Sequence, residues 1–153
     1  MECCGWLNVL GETKQSKGFH LVSEVLAPTK VAFFGTPEFA VPTLLGRVQS
    51  SAISLDLIVT QPDRRTGRKK SPSFTPVKTA AIEHNVPNIL QPSEIDEDFL
   101  ATLIDLNIEA VVVVASGHML PKILCEYYGD RIVNLHASLL PKHRGASPIS
   151  AAL

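Results

Sequence analysis

Short apolar runs alternate with longer amphipathic stretches from Lys30 onward, a pattern typical of β-strands followed by α-helices. The most hydrophobic run covers residues 110–115, and its β-branched side chains indicate a strand that is buried on both faces. Five strands are predicted, at residues 30–34, 55–60, 87–90, 110–115 and 131–135. The pattern therefore predicts an α/β fold with a Rossmann-like, doubly wound and mainly parallel sheet, which binds ligands beyond the carboxyl ends of its strands.

Amphipathic segments between these strands are predicted to be helical. They cover residues 76–85, 95–106 and 120–128, and a further helix is predicted to start at residue 147. Thr36 is interpreted as the N-cap of a helix that reaches about Val48, and Ser93 as the cap before the helix at 95–106. Residues 61–75 are predicted to form a long loop, since they are rich in proline and charge.

Length and composition indicate one globular domain. The 153 residues are 45% hydrophobic, and the longest apolar run is far shorter than the roughly 20 residues that span a bilayer. We expect residues 1–29 to be a poorly ordered extension and residues 30–153 to form the catalytic domain. The extension contains three Glu and no Arg, which argues against an organellar leader. A cytoplasmic location is therefore predicted, with the mitochondrion or plastid as the alternative.

Charge and cysteine usage exclude several classes of protein. The net charge of −1 gives the chain no overall bias toward nucleic acid or membranes. The three cysteines, Cys3, Cys4 and Cys125, form no CxxC pair, so neither a zinc site nor a disulfide framework is predicted. The turn "FFGTPEF" has one glycine where a dinucleotide fingerprint needs three, which argues against NAD, and Gly35 is interpreted as a tight strand-to-helix turn.

One basic cluster stands out in the predicted loop "QPDRRTGRKKSPSFTPVK". Its positive residues are Arg64, Arg65, Arg68, Lys69 and Lys70. A basic run is most often a solvated loop. Here the run follows a strand at its carboxyl end, where it could reach a ligand held over the sheet, so both explanations remain open.

The last predicted strand carries two polar side chains. Asn134 and His136 alternate with Val133 and Leu135, so we expect the polar pair to face the ligand site and the apolar pair to pack on the opposite face. An Asn amide can donate to a developing oxyanion, and a His can do the same or relay protons. The pair suits acyl transfer directly to an amine, because no nucleophile is arranged nearby. The alternative is that both side chains only satisfy backbone groups of a loop.

Four motifs give the chain a family resemblance. "FFGTPEFAVP", "VTQPDRRTGR", "TPVK" and "NLHASLLPKHRGASP" resemble the methionyl-tRNA formyltransferase family, over residues 31–153. Members of this family move a formyl group from 10-formyltetrahydrofolate to the amine of methionine on initiator tRNA during translation initiation. The resemblance thus implies a one-carbon transferase that uses a folate cosubstrate and no metal, with initiator tRNA as its macromolecular partner and no protein partner.

The resemblance also implies roles for particular positions. Asn134 and His136 match the catalytic Asn and His, and the basic loop with Arg68 matches the element that contacts the tRNA acceptor end. Four residues match the tetrahydrofolate-binding corner: Ser138, Leu139, Leu140 and Pro141.

Two departures from the family bear on activity. The family usually has an aromatic residue where Ser116 stands, and its third catalytic residue, an Asp, corresponds to a position beyond Leu153, as does its carboxy-terminal barrel. We therefore expect a truncated catalytic domain, with a non-catalytic folate-binding fragment as the alternative. Another formyltetrahydrofolate-dependent transferase or hydrolase is the third possibility, which the basic loop disfavours.

Overall fold

A computed structural model describes residues 27–48, 51–66 and 71–138. Its strands, in chain order, are β1 Thr29–Gly35, β2 Ile53–Val59, β3 Arg64–Thr66, β4 Ser71–Ser73, β5 Asn88–Leu90, β6 Ala110–Val114 and β7 Ile132–Leu135. Its α-helices are α1 Val41–Val48, α2 Pro76–Glu83, α3 Glu97–Asp105 and α4 Lys122–Tyr128. Short 3-10 helices cover Glu38–Ala40 and Gly129–Arg131.

Five strands form one parallel sheet in the order β5-β2-β1-β6-β7. These are the five predicted strands, so the Rossmann-like, mainly parallel sheet is confirmed. The chain runs outward from β1 in one direction through β2 and β5, and in the other through β6 and β7. The topological switch point therefore lies between β1 and β6, at the carboxyl edge where this fold binds ligands.

Helices cover both faces of this sheet. On one face α3 and α4 bury Phe99 and Tyr128 against a core that includes Phe34, and the Phe34 and Phe99 rings meet edge to face at 6.0 Å between centroids. On the other face α1 and α2 bury Leu44 and Val77. Two apolar layers around one sheet make the fold doubly wound, as predicted.

Two helix starts differ from the prediction. Thr36 does not cap a helix. The first helical turn after β1 is the 3-10 helix Glu38–Ala40, and Pro37 occupies its N-cap position. The Thr36 hydroxyl instead bonds to neighbouring strand ends. Asp96, rather than Ser93, caps α3, since its carboxylate accepts a 2.9 Å hydrogen bond from the Phe99 backbone N–H.

The predicted long loop contains an antiparallel hairpin. In the hairpin β3 pairs with β4, and Arg64 lies opposite Ser73. Strands of three residues are too short to show an apolar alternation, which explains why the sequence pattern missed them. The predicted helix from residue 147 and nearly all of the amino-terminal extension lie outside the described residues.

Packing at β7 also departs from expectation. Val133 is 59% exposed and Leu135 is 47% exposed, so the prediction that they pack against the sheet's other face is wrong for the described part of the chain. The reason is that β7 is the edge strand of the described sheet, with β6 as its only strand neighbour there.

Candidate active site

Two cavities open at the carboxyl edge of the main sheet. The first cavity, of about 430 Å³, is lined by Phe39, Val113, Ala115, Ser116, Gly117, His118, Met119, Asn134, Leu135, His136 and Ala137. The second cavity, of about 330 Å³, is lined by Thr36, Gln61, Pro62, Arg64, Ser73, Phe74 and Thr75. Both volumes fall within the range of about 300–1,000 Å³ that is typical of ligand pockets.

The polar residues singled out on the last strand meet in the first cavity. Asn134 lies in β7 and is exposed, and His136 follows the strand in a half-buried position. The His136 Nδ1 lies 2.8 Å from the Ser138 hydroxyl, which can either donate or accept, so either tautomer of the ring can form this bond. The structure therefore brings Asn134 and His136 together in one cavity, with the Ser138 hydroxyl in contact with the His136 ring.

Other predicted site residues are only partly described. Arg64 lies in β3, is exposed and lines the second cavity, and the Arg65 backbone continues the same strand. Six further residues lie outside the described ranges: Arg68, Lys69, Lys70, Leu139, Leu140 and Pro141.

The segment after β6 forms a wall of the first cavity, and sequence reasoning singled out only Ser116 in it, as a departure from the family. Its backbone is unusual, because Ala115 has a φ of 46° and Gly117 a φ of 78°. This left-handed region is costly for a residue other than glycine, and such strain is concentrated at functional sites. Apart from Ser116, the sequence signal was the short run of small and polar residues directly after a buried strand.

His118 is held at both ring nitrogens. Its Nε2 lies 3.0 Å from the Pro92 carbonyl oxygen, and its Nδ1 lies 3.0 Å from the Ser116 hydroxyl. A carbonyl can only accept, so the Nε2 carries the proton, and in the neutral ring the Ser116 hydroxyl donates to Nδ1. Ser116 is 3% exposed. Where the family resemblance led us to expect an aromatic side chain, this chain therefore has a buried hydroxyl that orients a cavity histidine.

A chain of hydroxyl groups connects the strand ends beneath the two cavities. The Thr36 hydroxyl donates to the Ser116 carbonyl at 2.7 Å and accepts from the Gln61 backbone N–H at 3.2 Å. The Thr60 hydroxyl lies 3.4 Å from that of Thr36 and 2.8 Å from that of Thr75, the N-cap of α2. Such chains fix loop positions because each bond polarises the next.

The second cavity adjoins a cluster of polar side chains around Lys78. The Lys78 ammonium donates to the Asp63 carboxylate and, at 2.7 Å, to Gln91 Oε1, while Gln91 Nε2 donates to Asp63 Oδ1 at 2.8 Å. The same ammonium lies 4.3 Å from the centroid of the Phe74 ring. The hydrogen bond from Lys78 is the main reason that the pKa of Asp63 is lowered, so the carboxylate stays charged to lower pH than an ordinary Asp.

The described residues contain neither a membrane-spanning helix nor a cluster of metal ligands. Among residues 27–48, 51–66 and 71–138, no helix is long and apolar enough to cross a membrane. Over the same ranges, no group of three or more His, Cys, Asp or Glu side chains lies close enough to hold a metal ion.

A doubly wound parallel sheet with polar residues at its carboxyl edge defines a Rossmann-like α/β protein, a class that binds ligands at the switch point. Residues 29–153 match the model of the formyl transferase family, so the chain belongs to this family. The resemblance seen in the sequence motifs is thereby confirmed at the level of the family.

The sequence is similar to those of known formyl transferases. It is 46% identical over 124 residues to a methionyl-tRNA formyltransferase of Heliobacterium modesticaldum, a match covering 81% of this chain and 39% of that protein. The chain thus spans about 40% of the length of the curated relatives it matches.

Solved structures share the fold. Glycinamide ribonucleotide transformylase 1 of Geobacillus kaustophilus superposes with a TM-score of 0.62 and 22% identity, over 82% of this chain and 66% of that one. A formyltetrahydrofolate deformylase of Pseudomonas syringae gives a TM-score of 0.60 and 19% identity, over 82% and 41%. At these identities the likeness supports the architecture alone.

Proposed function

We propose that the chain carries the formyl-transfer site of a methionyl-tRNA formyltransferase. In this reaction the formyl group of 10-formyltetrahydrofolate passes to the amine of methionine on initiator tRNA. One observation carries the proposal: Asn134 and His136 line one cavity at the carboxyl edge of the sheet. The similarity to relatives that bear this name supports it. We propose the cytoplasm as the compartment, with the mitochondrion or plastid as the alternative.

The first cavity has walls suited to a folate donor. Phe39, Val113 and Met119 supply apolar surface. Because Phe39 is 51% exposed and Met119 is 89% exposed, both side chains are accessible to a ligand in the cavity. An apolar cleft with a few polar groups is the usual site for a flat heterocycle such as the pterin ring. The bound donor supplies an activated formyl group, and Ser138, with the undescribed Leu139, Leu140 and Pro141, is proposed to hold it.

Asn134 and His136 are assigned distinct tasks in the transfer. As the amine attacks the formyl carbon, negative charge develops on the formyl oxygen, and the Asn134 amide is proposed to donate a hydrogen bond to it. The His136 ring can add a second hydrogen bond or take up the proton that the attacking amine loses. The bond between the formyl carbon and N10 of the donor then breaks, and N10 takes a proton and leaves as tetrahydrofolate. The Ser138 hydroxyl, 2.8 Å from His136 Nδ1, orients the ring for either task.

The acceptor is proposed to approach over the β3–β4 hairpin. Arg64 lies exposed on this hairpin, which carries Arg65 and leads into Arg68, Lys69 and Lys70. Such a concentration of positive charge in a chain of net charge −1 suits contacts with the RNA backbone.

The proposal is tested by following formyl transfer from 10-formyltetrahydrofolate to methionyl-tRNA. Removing one oxyanion donor costs about 10²- to 10³-fold in rate, so Asn134→Ala should slow transfer by at least about 100-fold. Val133→Ala is the matched control, since this exposed neighbour on the same strand is assigned no role. Equal rates for wild type and Asn134→Ala would contradict the assignment. Release of free formate without an acceptor would assign the site to a hydrolase instead.

A further inference from the structure

The second cavity has a composition that the formyl donor does not explain. Its walls combine a half-exposed aromatic ring, Phe74, with the cationic side chain of Arg64 and the hydroxyl-bearing residues Thr36, Ser73 and Thr75. Rings next to positive charge are typical of sites that bind single-stranded nucleic acid, where bases stack on aromatic faces and phosphates meet basic residues.

The aromatic ring of Phe74 packs against a fixed cation and can serve as a rigid stacking surface. The Lys78 ammonium lies over its ring at 4.3 Å and is itself fixed by the Asp63 carboxylate and by Gln91 Oε1. Lys78 keeps only 17% of its side chain exposed, whereas Phe74 is 51% exposed. The ring therefore has a fixed cation at one face and keeps accessible surface for a ligand, and a preorganised surface reduces the entropic cost of binding.

The two cavities share a wall at the switch point of the sheet. Thr36 lines the second cavity, and its hydroxyl bonds at 2.7 Å to the carbonyl of Ser116, which lines the first. The Gln61 side chain, also in the second cavity, lies beside Gly117 of the first, since a methyl group added at Gly117 would be 3.4 Å from Gln61 Nε2. A ligand in the second cavity is thus a direct neighbour of one in the first.

We propose that the second cavity is a subsite for the 3′-terminal nucleotide of the acceptor RNA, with its base stacked on Phe74 and its phosphate near Arg64. This inference rests on the proposed function, because the aminoacyl group attached to that nucleotide is what must reach Asn134 and His136. Because the two cavities adjoin, the base can stay in the second cavity while the amine of the aminoacyl group reaches the first.

The test uses an RNA trinucleotide of sequence CCA and the full 153-residue chain. Stacking on a phenyl ring shields protons, so the adenine H2 and H8 signals should move upfield on binding in NMR spectra. Phe74→Leu keeps an apolar side chain but removes the aromatic face, and it should weaken binding by about 5- to 160-fold, the range found for loss of one stacked base. Phe74→Trp retains a stacking surface and should preserve both affinity and shielding.

Tyr127→Leu is the matched control for removing an exposed aromatic residue. Tyr127 is 45% exposed and has the Arg131 guanidinium 5.6 Å from its ring centroid, but it lies at the end of α4 and lines neither cavity. Its loss should leave CCA binding unchanged. Unshifted adenine signals, or equal affinity in wild type and Phe74→Leu, would overturn the subsite.

Failure of the subsite and failure of the proposed function have different signatures. A chain that transfers formyl in an Asn134-dependent manner but does not shield adenine contradicts only the subsite. A chain that shields adenine through Phe74 but shows no dependence of formyl transfer on Asn134 contradicts the proposed function, and with it the reason for placing an aminoacyl end there.

Discussion

The Thr36 hydroxyl donates a 2.7 Å hydrogen bond to the carbonyl oxygen of Ser116. Thr36 directly follows β1 and Ser116 follows β6, so this bond joins the two strands between which the sheet changes direction. The same oxygen of Thr36 accepts a hydrogen bond from the Gln61 backbone N–H, and this bond links the segment after β2 to the other two strand ends. One hydroxyl thus positions the segments that form both cavities.

Thr36→Val should test this role, because the change keeps the shape of the side chain and removes its hydrogen bonds. Leaving the Ser116 carbonyl and the Gln61 N–H without this partner should lower the free energy of unfolding in urea by about 1–3 kcal/mol. Thr102→Val is the control, since in the described part of the chain its hydroxyl bonds only to the Asp98 carbonyl, at an exposed site in α3. A loss no larger than that of the control would show that the bond contributes little.

Gly35→Ala should destabilise the fold for a steric reason. A Cβ at Gly35 would lie 2.6 Å from Phe33 Cε1 and 3.2 Å from the Val114 carbonyl oxygen. The Phe33 ring is fully buried and the carbonyl belongs to β6, so neither can move freely. Forcing extra atoms into a packed core typically costs about 1–3 kcal/mol, which thermal or urea unfolding can measure.

Gly46→Ala is the matched control for that substitution. Gly46 lies in α1, and nothing comes within 4 Å of a methyl group added there. Alanine is a better helix former than glycine by about 1 kcal/mol, so this variant should be more stable than wild type. Opposite signs for the same chemical change are expected. Two variants of equal stability would refute the steric explanation.

Strands were predictable from sequence where burial alone determines them. The run at β6 is short, continuous and β-branched, and these features favour a buried strand over a buried helix. The hairpin formed by β3 and β4 was not predictable, because strands of three residues lack a periodic pattern and Pro72 lies in the middle of β4. Thr36 was misassigned since a hydroxyl before a proline looks the same whether it caps a helix or bonds across the sheet.

In the first cavity, sequence reasoning singled out the end of β7 and, through the family resemblance, Ser116. Asn134 and His136 stood out as polar residues at the end of an apolar strand, and the structure places both in the first cavity. Phe39 and His118 line the same cavity, but they come from segments 79 residues apart, and their proximity depends on tertiary structure. No local pattern marks such residues, so sequence reasoning passed over them.

The Asp63–Lys78 pair should make stability depend on acid pH. The pKa of Asp63 is lowered in the fold, chiefly by the hydrogen bond from Lys78. Its contribution is therefore present above the ordinary carboxyl pKa of about 3.9 and is lost as the pH falls through the lower, folded value. Asp63→Asn should be less stable than wild type near neutral pH, and this difference should shrink steadily below about pH 4.

Urea unfolding from pH 7 down to pH 3 measures that difference. Asp105→Asn serves as the control for removing one negative charge, because Asp105 lies on the exposed surface of α3 and forms no ion pair among the described residues. A stability difference for Asp63→Asn that stays constant over this pH range would contradict the role given to the ion pair.

Arginines of the hairpin region should determine how RNA binding responds to salt. Each phosphate neutralised by a cation contributes about 0.9 to the log–log slope of affinity against salt on a duplex, and about 0.7 on a single strand. Arg68→Ala should therefore weaken binding of initiator tRNA and reduce the slope by somewhat less than one. Arg64→Ala should act similarly, since Arg64 is exposed beside the second cavity.

Lys122→Ala is the control, because this 88% exposed cation lies on α4 and lines neither cavity. Titrations of labelled tRNA at several salt concentrations give both quantities, and an unchanged slope for Arg68→Ala would remove the hairpin from the RNA interface.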